Sequence, residues 1–500
     1  MTTTHTKRKG RAFWHWYAQS DSPAERRLIF KLDLLIVPYA VISYWIKYID
    51  QSNLTNAYVS GLKEDLKFNS NQLVDLNALY IAGAVIGQLP FTFIFPMFPM
   101  NYTIPALEIG WGLFTLLQFR AQGFAELAAY RFLIGIFEAA YFPGVHYVLG
   151  SWYRGDELGR RGGIFYVGQM LGTLTAGLIQ SGASAHLDGV NGMAGWRWMF
   201  IISALMTIPV AIAGVFVWPG TPAKPNKLFL TDADLELAIK RLKERKADVE
   251  ETVKEQTRLQ LIRHIFTDWK IYILGFWDVL FWNAGSTGYG GYLIWLKSLK
   301  RFSTPKVNQL GTTAPALGIF YVLFVNFSSD LLWGPSGAIT FAHTWNFVAT
   351  TILAVWNVPE AAKWFAFNSL YTQVAMSSVL YGWCNDILRH NATERSVILV
   401  FINLFAQSTT AWTGILAFPT VEAPRFLKGW TFAATNSFLI IVFTWAVVRP
   451  LARREERKYA EQSDSEEVVR GSIEEARSSD GDKGISKASQ DVKVIPEVSL

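Results

Sequence analysis

Twelve stretches of mostly apolar residues, each close to twenty long, run through this chain and decide what it can become. Crossing about 30 Å of hydrocarbon takes roughly 20 residues of helix, which satisfies its own backbone hydrogen bonds. The runs fall at about 29–49, 73–95, 101–119, 127–149, 162–184 and 197–218, then at about 270–296, 309–330, 336–356, 361–382, 396–418 and 428–448. The spacing predicts an all-α polytopic membrane protein with twelve transmembrane helices in two six-helix bundles. Its parts are an N-terminal segment (1–28), a first bundle (29–218), a polar linker (219–269), a second bundle (270–448) and a tail (449–500). Two equal sets joined by a linker suggest a transporter built from repeats, with its site near the midplane between them.

Charged residues make up only 17% of the 500, too few to coat several water-facing domains. The linker sequence from Thr231 alternates charge and favours helix, with Thr231 or Asp232 as N-cap, and reads as an exposed helix. The tail lacks aromatics after Tyr459 and is expected to be disordered. The basic N-terminus does not resemble a cleaved signal peptide. Lys and Arg gather at Arg26, Arg27 and Lys31, at Arg154, Arg160 and Arg161, in the linker, and after Arg449. All fall on one side of an even-numbered bundle, so both termini are expected in the cytoplasm. Lys297, Lys300, Arg301 and Lys306 break the pattern on the other side.

A single cysteine, Cys384, excludes an internal disulfide, and no CxxC, HxxxH or Walker sequence is present. No metal, cofactor, ATP-driven step or enzyme activity is expected, and the basic residues read as orientation signals rather than a nucleic-acid surface.

Charge inside the bilayer costs at least ~2.5 kcal/mol per residue, so each intramembrane charge needs a partner or a wet cavity. Lys47 and Asp50 lie three apart on one face near the end of the first helix, where they can pair; Gln51 follows. Arg131 and Glu138 lie two turns apart in the fourth helix, with His146 further along. Glu138, flanked by Gly135, Ile136, Phe137, Ala139 and Ala140, has no route to water by snorkelling. An arginine fork binds a carboxylate, and removal from water favours the neutral form of a carboxyl, so these are the parts of a proton and organic-anion symport site. Asp278, Asn283 and Tyr289 fall in the seventh helix, where glycines at 285, 288, 290 and 291 permit a break that lines a cavity. Gly168, Gly172 and Gly177 in the fifth helix suit close helix packing.

The runs KYIDQSNLTNAYVSGLKEDL from Lys47, RFLIGIFEAAYFPG from Arg131, SWYRGDELGRR from Ser151, GWRWMFII from Gly195 and EAPRFLKGW from Glu422 resemble the major facilitator superfamily. More narrowly, they are similar to its anion:cation symporter branch of fungal allantoate, nicotinate and pantothenate permeases. The resemblance implies two six-helix bundles, alternating access and proton symport of a small organic anion. It assigns proton coupling to Asp50 and Glu138 and anion binding to Arg131, with Lys47 assisting because Gln51 stands where many relatives carry arginine. A monomer in the plasma membrane is the expectation, with an internal membrane left open as the alternative. The loop PMFPMN from Pro96 lacks the charged gating pattern widespread in the superfamily. Proton-driven export and a nutrient sensor with the carrier fold are the competing expectations.

Overall fold

The computed structural model describes residues 17, 21–95, 97–153, 155–250, 267–388 and 392–458. Twelve long helical segments run through these residues: α1 (Pro23–Ala57), α2 (Gln72–Ile94), α3 (Met100–Leu117), α4 (Phe124–Ala139, then Tyr141–Trp152), α5 (Gly155–His186) and α6 (Gly195–Val217). A linker helix, Asp232–Glu250, precedes α7 (Trp269–Ala284, then Gly291–Ser298) and α8 (Thr304–Gly311, then Thr313–Ser328). The rest are α9 (Gly334–Val355), α10 (Glu360–Ser369, Tyr371–Ala375 and Ser377–Ile387), α11 (Ala392–Ala417) and α12 (Leu427–Phe443). Six helices of the described part are long and apolar enough to cross a membrane by length and composition alone.

Local chemistry sets several of these boundaries. The Ser22 hydroxyl accepts from the Glu25 N–H while the Glu25 carboxylate accepts from the Ser22 N–H, a reciprocal cap that starts α1, with Pro23 in its first turn. The break in α4 at Ala140 lies just before Pro143, which has no N–H to offer the Ala139 carbonyl. The interruption of α7 falls among the glycines that the sequence marked, and Gly290 sits at φ +70°, a conformation that a side chain would resist.

Lipid gives apolar helices little reason to associate, so close backbone approach must hold them together. A Cβ added at Gly135 would lie 2.2 Å from the Tyr80 carbonyl oxygen, and one at Gly83 would lie 2.2 Å from that of Phe132, so α2 and α4 meet backbone to backbone. Gly168 and Gly172 seat α5 in the same way on Val41 and Trp45 of α1, as small residues there suggested, and Gly177 meets Asn308 and Thr312 of α8.

The apolar packing is unequal at the two ends. At the end carrying the termini each half has its own core, one around Leu28, Trp111, Trp152 and Trp218, the other around Trp277, Met376, Cys384 and Ile440. At the opposite end a single core joins the halves, with Leu54, Leu62 and Trp196 packed among Trp295, Phe367 and Trp430. Polar contacts follow the same seam: Lys297 pairs with Glu64 at 2.7 Å, Asn308 donates to Ser60 at 2.8 Å, and the backbone N–H of Val421 donates to Asn71 at 3.2 Å. Lys297 and Arg301, two of the bases that broke the charge pattern, thus have acidic partners, since Arg301 pairs with Glu360.

The linker helix corrects the expectation of a fully exposed element. Thr231 does cap it, exchanging hydrogen bonds with Asp234, but Leu235, Ala238 and Arg241 form a stripe that packs on the first half. Arg241 is 2% exposed and reaches Glu157 at 2.8 Å and Glu25 at 3.4 Å. Lys31 binds Asp234 at 2.7 Å; partial burial opposes ionisation there, but the hydrogen bonds from Lys31 and Thr231 outweigh it and hold this carboxyl below its ordinary range. Nearby, Arg161 of α5 grips Asp33 of α1 with two bonds of 2.5 and 2.8 Å, and Lys224 of the linker donates to the Met97 carbonyl in the PMFPMN loop at 2.6 Å. The helix begun by α12 continues to Lys458, where buried Glu455 pairs with Lys270 at 3.6 Å, so the tail starts later than 449. The expected disorder beyond it and the N-terminal basic run lie outside the described residues.

Candidate functional site

A central cavity of about 400 Å³ lies between the halves, a volume suited to a ligand of vitamin size. Lys47 and Gln51 of α1, Tyr80 of α2, Arg131 and Glu138 of α4, and the interrupted stretch of α7 line it. Three charges predicted from sequence therefore meet on one wall. Glu138, 2% exposed, accepts from the Tyr80 hydroxyl at 2.6 Å and lies 3.6 Å from the Lys47 ammonium. The Arg131 guanidinium stacks over the Tyr80 ring at 4.7 Å from its centre, a cation–π contact that holds its plane. Arg131 is 1% exposed, yet its Nε and Nη1 have no hydrogen-bond partner, and neither does Glu138 Oε1. Guanidinium donors left idle beside a cavity have the fork geometry that can take the two oxygens of a carboxylate.

Lys47 thus pairs with Glu138 and not with Asp50, the partner that its spacing suggested. Asp50 is outside the cavity lining; it is buried against α6, where Thr207 donates to it at 3.2 Å. It remains within electrostatic reach of both Arg131 and Glu138. Gln51 and Tyr289 line the cavity, Tyr289 stacked on Phe418 at 4.4 Å. The other pocket candidates lie outside its lining. His146 is exposed and held to the Phe142 carbonyl at 2.9 Å. Asp278 accepts from the Tyr381 hydroxyl at 3.0 Å through each oxygen. Asn283 is spent on helix packing, donating to Thr409 and accepting from Thr413.

Two groups escaped the sequence reading. Tyr80 ties Glu138 to Arg131, and only its place among abundant interfacial-type tyrosines hid it. Glu108 of α3, 1% exposed, is bound by the Tyr39 hydroxyl at 2.5 Å and by Ser43; a lone carboxylate in an apolar helix is a signal that the burial cost should have raised. A second hollow, of about 760 Å³, sits near the joined end beside Arg120, Glu126 and Arg197. Arg197 is already spent on Asp65 at 3.0 Å, so the unsatisfied chemistry points to the central cavity.

Tyr80 and Glu138 stay in register only while α2 and α4 touch. Gly135→Ala is expected to force these backbones apart, costing about 1–3 kcal/mol, and a lowered unfolding temperature in detergent together with reduced uptake would show it.

Twelve helical segments around a buried, charged, ligand-sized cavity define a secondary carrier of small organic substrates set in a membrane. The chain belongs to the Major Facilitator Superfamily, whose sequence profile matches residues 40–414. It is 39% identical to a vitamin H transporter of Saccharomyces cerevisiae over 88% of this chain and 75% of that protein. It is 35% identical to a pantothenate transporter of Schizosaccharomyces pombe over 81% of this chain and 78% of that one. Among solved structures, the xylose transporter of E. coli in an inward-open conformation matches with a TM-score of 0.64 at 14% identity, over 82% of this chain and 95% of that one, a likeness of fold.

Proposed function

We propose that this carrier takes up a small vitamin-type carboxylate, such as biotin or pantothenate, together with a proton. The observation that carries the proposal is Arg131, buried on the cavity wall with unused donors beside the Lys47–Glu138 pair. The relatives described as vitamin H and pantothenate transporters supply the substrate class.

The geometry supports an order of events. While Glu138 is ionised it occupies Lys47 and competes for the field of Arg131. A proton on Glu138 releases both cations to the carboxylate of the cargo. Proton and anion then enter together because each makes room for the other, the reciprocity that any coupling between two sites requires. Asp50, electrostatically coupled to the pair from behind, is the second candidate proton carrier. With the termini in the cytoplasm, the joined end faces outside and the chain is held open inward, ready to release cargo. The plasma membrane is the expected location and a monomer the working unit.

The test is labelled biotin and pantothenate uptake in cells expressing the chain, measured across external pH. Uptake of at least one should rise as external pH falls and collapse with a protonophore. Outward pumping in sealed vesicles, or uptake indifferent to pH, would refute proton symport.

A further inference from the structure

The charge in the central cavity is one-sided. Lys47, Arg131 and Glu138 all come from the first six helices, whereas the described residues of the last six that line the cavity are uncharged. What the second half offers instead is the interruption of α7. Gly285 is extended, Ser286 is non-helical at φ −133°, a single tight turn spans Thr287–Tyr289, and Gly290 is left-handed. Each of these residues lines the cavity.

Interrupting a helix in a membrane frees backbone groups that must find partners. Several do so here: Gln373 donates to the Phe281 carbonyl at 2.8 Å, Asn346 to that of Ala284 at 3.1 Å, and Asn77 of the first half to that of Gly288 at 3.4 Å. The Ser286 carbonyl is likewise taken, by the Tyr289 N–H at 3.3 Å, but its side chain is not. Ser286 is 3% exposed, and its hydroxyl has no partner although it borders the cavity. From α1, the Gln51 carbonyl oxygen, also on the lining, is buried and unpaired. A buried hydroxyl and a buried amide oxygen left idle are costly unless something arrives to bind them.

We infer that the break in α7 around Ser286, together with Gln51, forms a second subsite for the neutral end of the cargo, an amide or urea group that presents both N–H and C=O. The inference rests on the carboxylate reading of Arg131 given above. The chemistry selects among cargo ends. A second carboxylate would meet no cation from the second half and would set acceptor against acceptor at Gln51. An ammonium would find no carboxylate there. An amide or urea gives its N–H to Gln51 Oε1 and accepts from the Ser286 hydroxyl, satisfying both idle groups.

The experiment measures competition against acid-driven uptake of labelled biotin, with labelled pantothenate in parallel, using unlabelled biotin, pantothenate and octanoate, which carries a carboxylate and no amide or urea. In the native chain octanoate should inhibit at least about tenfold more weakly than the better vitamin, the discrimination expected when buried polar groups go unpaired. Ser286→Val should raise the KM for that vitamin about tenfold and leave octanoate inhibition unchanged. Ser286→Thr, which keeps the hydroxyl, should recover most of the affinity. Equal inhibition by octanoate in the native chain, an unchanged KM in Ser286→Val, or a parallel loss for octanoate in that variant would overturn the subsite while leaving the carboxylate reading intact. Arg131→Ala separates the two: retained binding of vitamin and octanoate alike in that variant removes the carboxylate reading itself, and the subsite falls with it.

Discussion

Replacing Glu138 with glutamine leaves a carrier that still exchanges labelled for unlabelled cargo but no longer concentrates it. Glutamine keeps the shape and the contact with Tyr80 while fixing the neutral state, so Lys47 and Arg131 stay available to the anion at every pH. With no proton to load or release, the gradient has no hold on the cargo. Accumulation in vesicles with an imposed pH difference should fall to the level reached without it, and exchange should lose its pH dependence. Full accumulation by the variant would remove Glu138 from the coupling and move attention to Asp50.

The second large effect is the loss of cargo binding in Arg131→Ala. The substitution deletes the idle donors, removes the cation stacked on Tyr80 and leaves Glu138 and Asp50 with less positive charge near them. Truncating one partner of a desolvated, charge-assisted contact costs on the order of 2–5 kcal/mol, so the KM should rise by about a hundredfold or more. Lys47→Ala should weaken binding less, because the lysine is partly spent on Glu138 and is the more exposed of the two. Direct binding in detergent, together with a surface-expression control, distinguishes lost affinity from lost protein.

Much of this was legible in the chain because the bilayer is a severe solvent. Helix number and position followed from length and apolarity, and Arg131, Glu138 and Lys47 stood out because unpaired charge in hydrocarbon is costly. Pairing was not legible. Lys47 reaches Glu138 on another helix rather than Asp50 three residues along its own, because helix rotation and the Gly83 and Gly135 contacts decide which faces meet. The same dependence on packing took Asp278 and Asn283 out of the cavity lining and gave their polar atoms to Tyr381, Thr409 and Thr413. The linker helix was readable as a helix, and its Leu235–Ala238–Arg241 stripe carried the docking signal, hidden by the abundance of charge around it.

The seam at the joined end sets a tempo as well as a shape. Its polar contacts are an exposed ion pair and neutral hydrogen bonds, each worth about 1 kcal/mol or less, with no buried salt bridge among those described. A fastening of that kind comes undone piecemeal on the microsecond-to-millisecond scale of domain rocking. Parting the halves there would cost chiefly the wetting of the shared apolar core that brings Leu54, Leu62 and Trp196 together with residues of the second half, more than the breaking of any one bond.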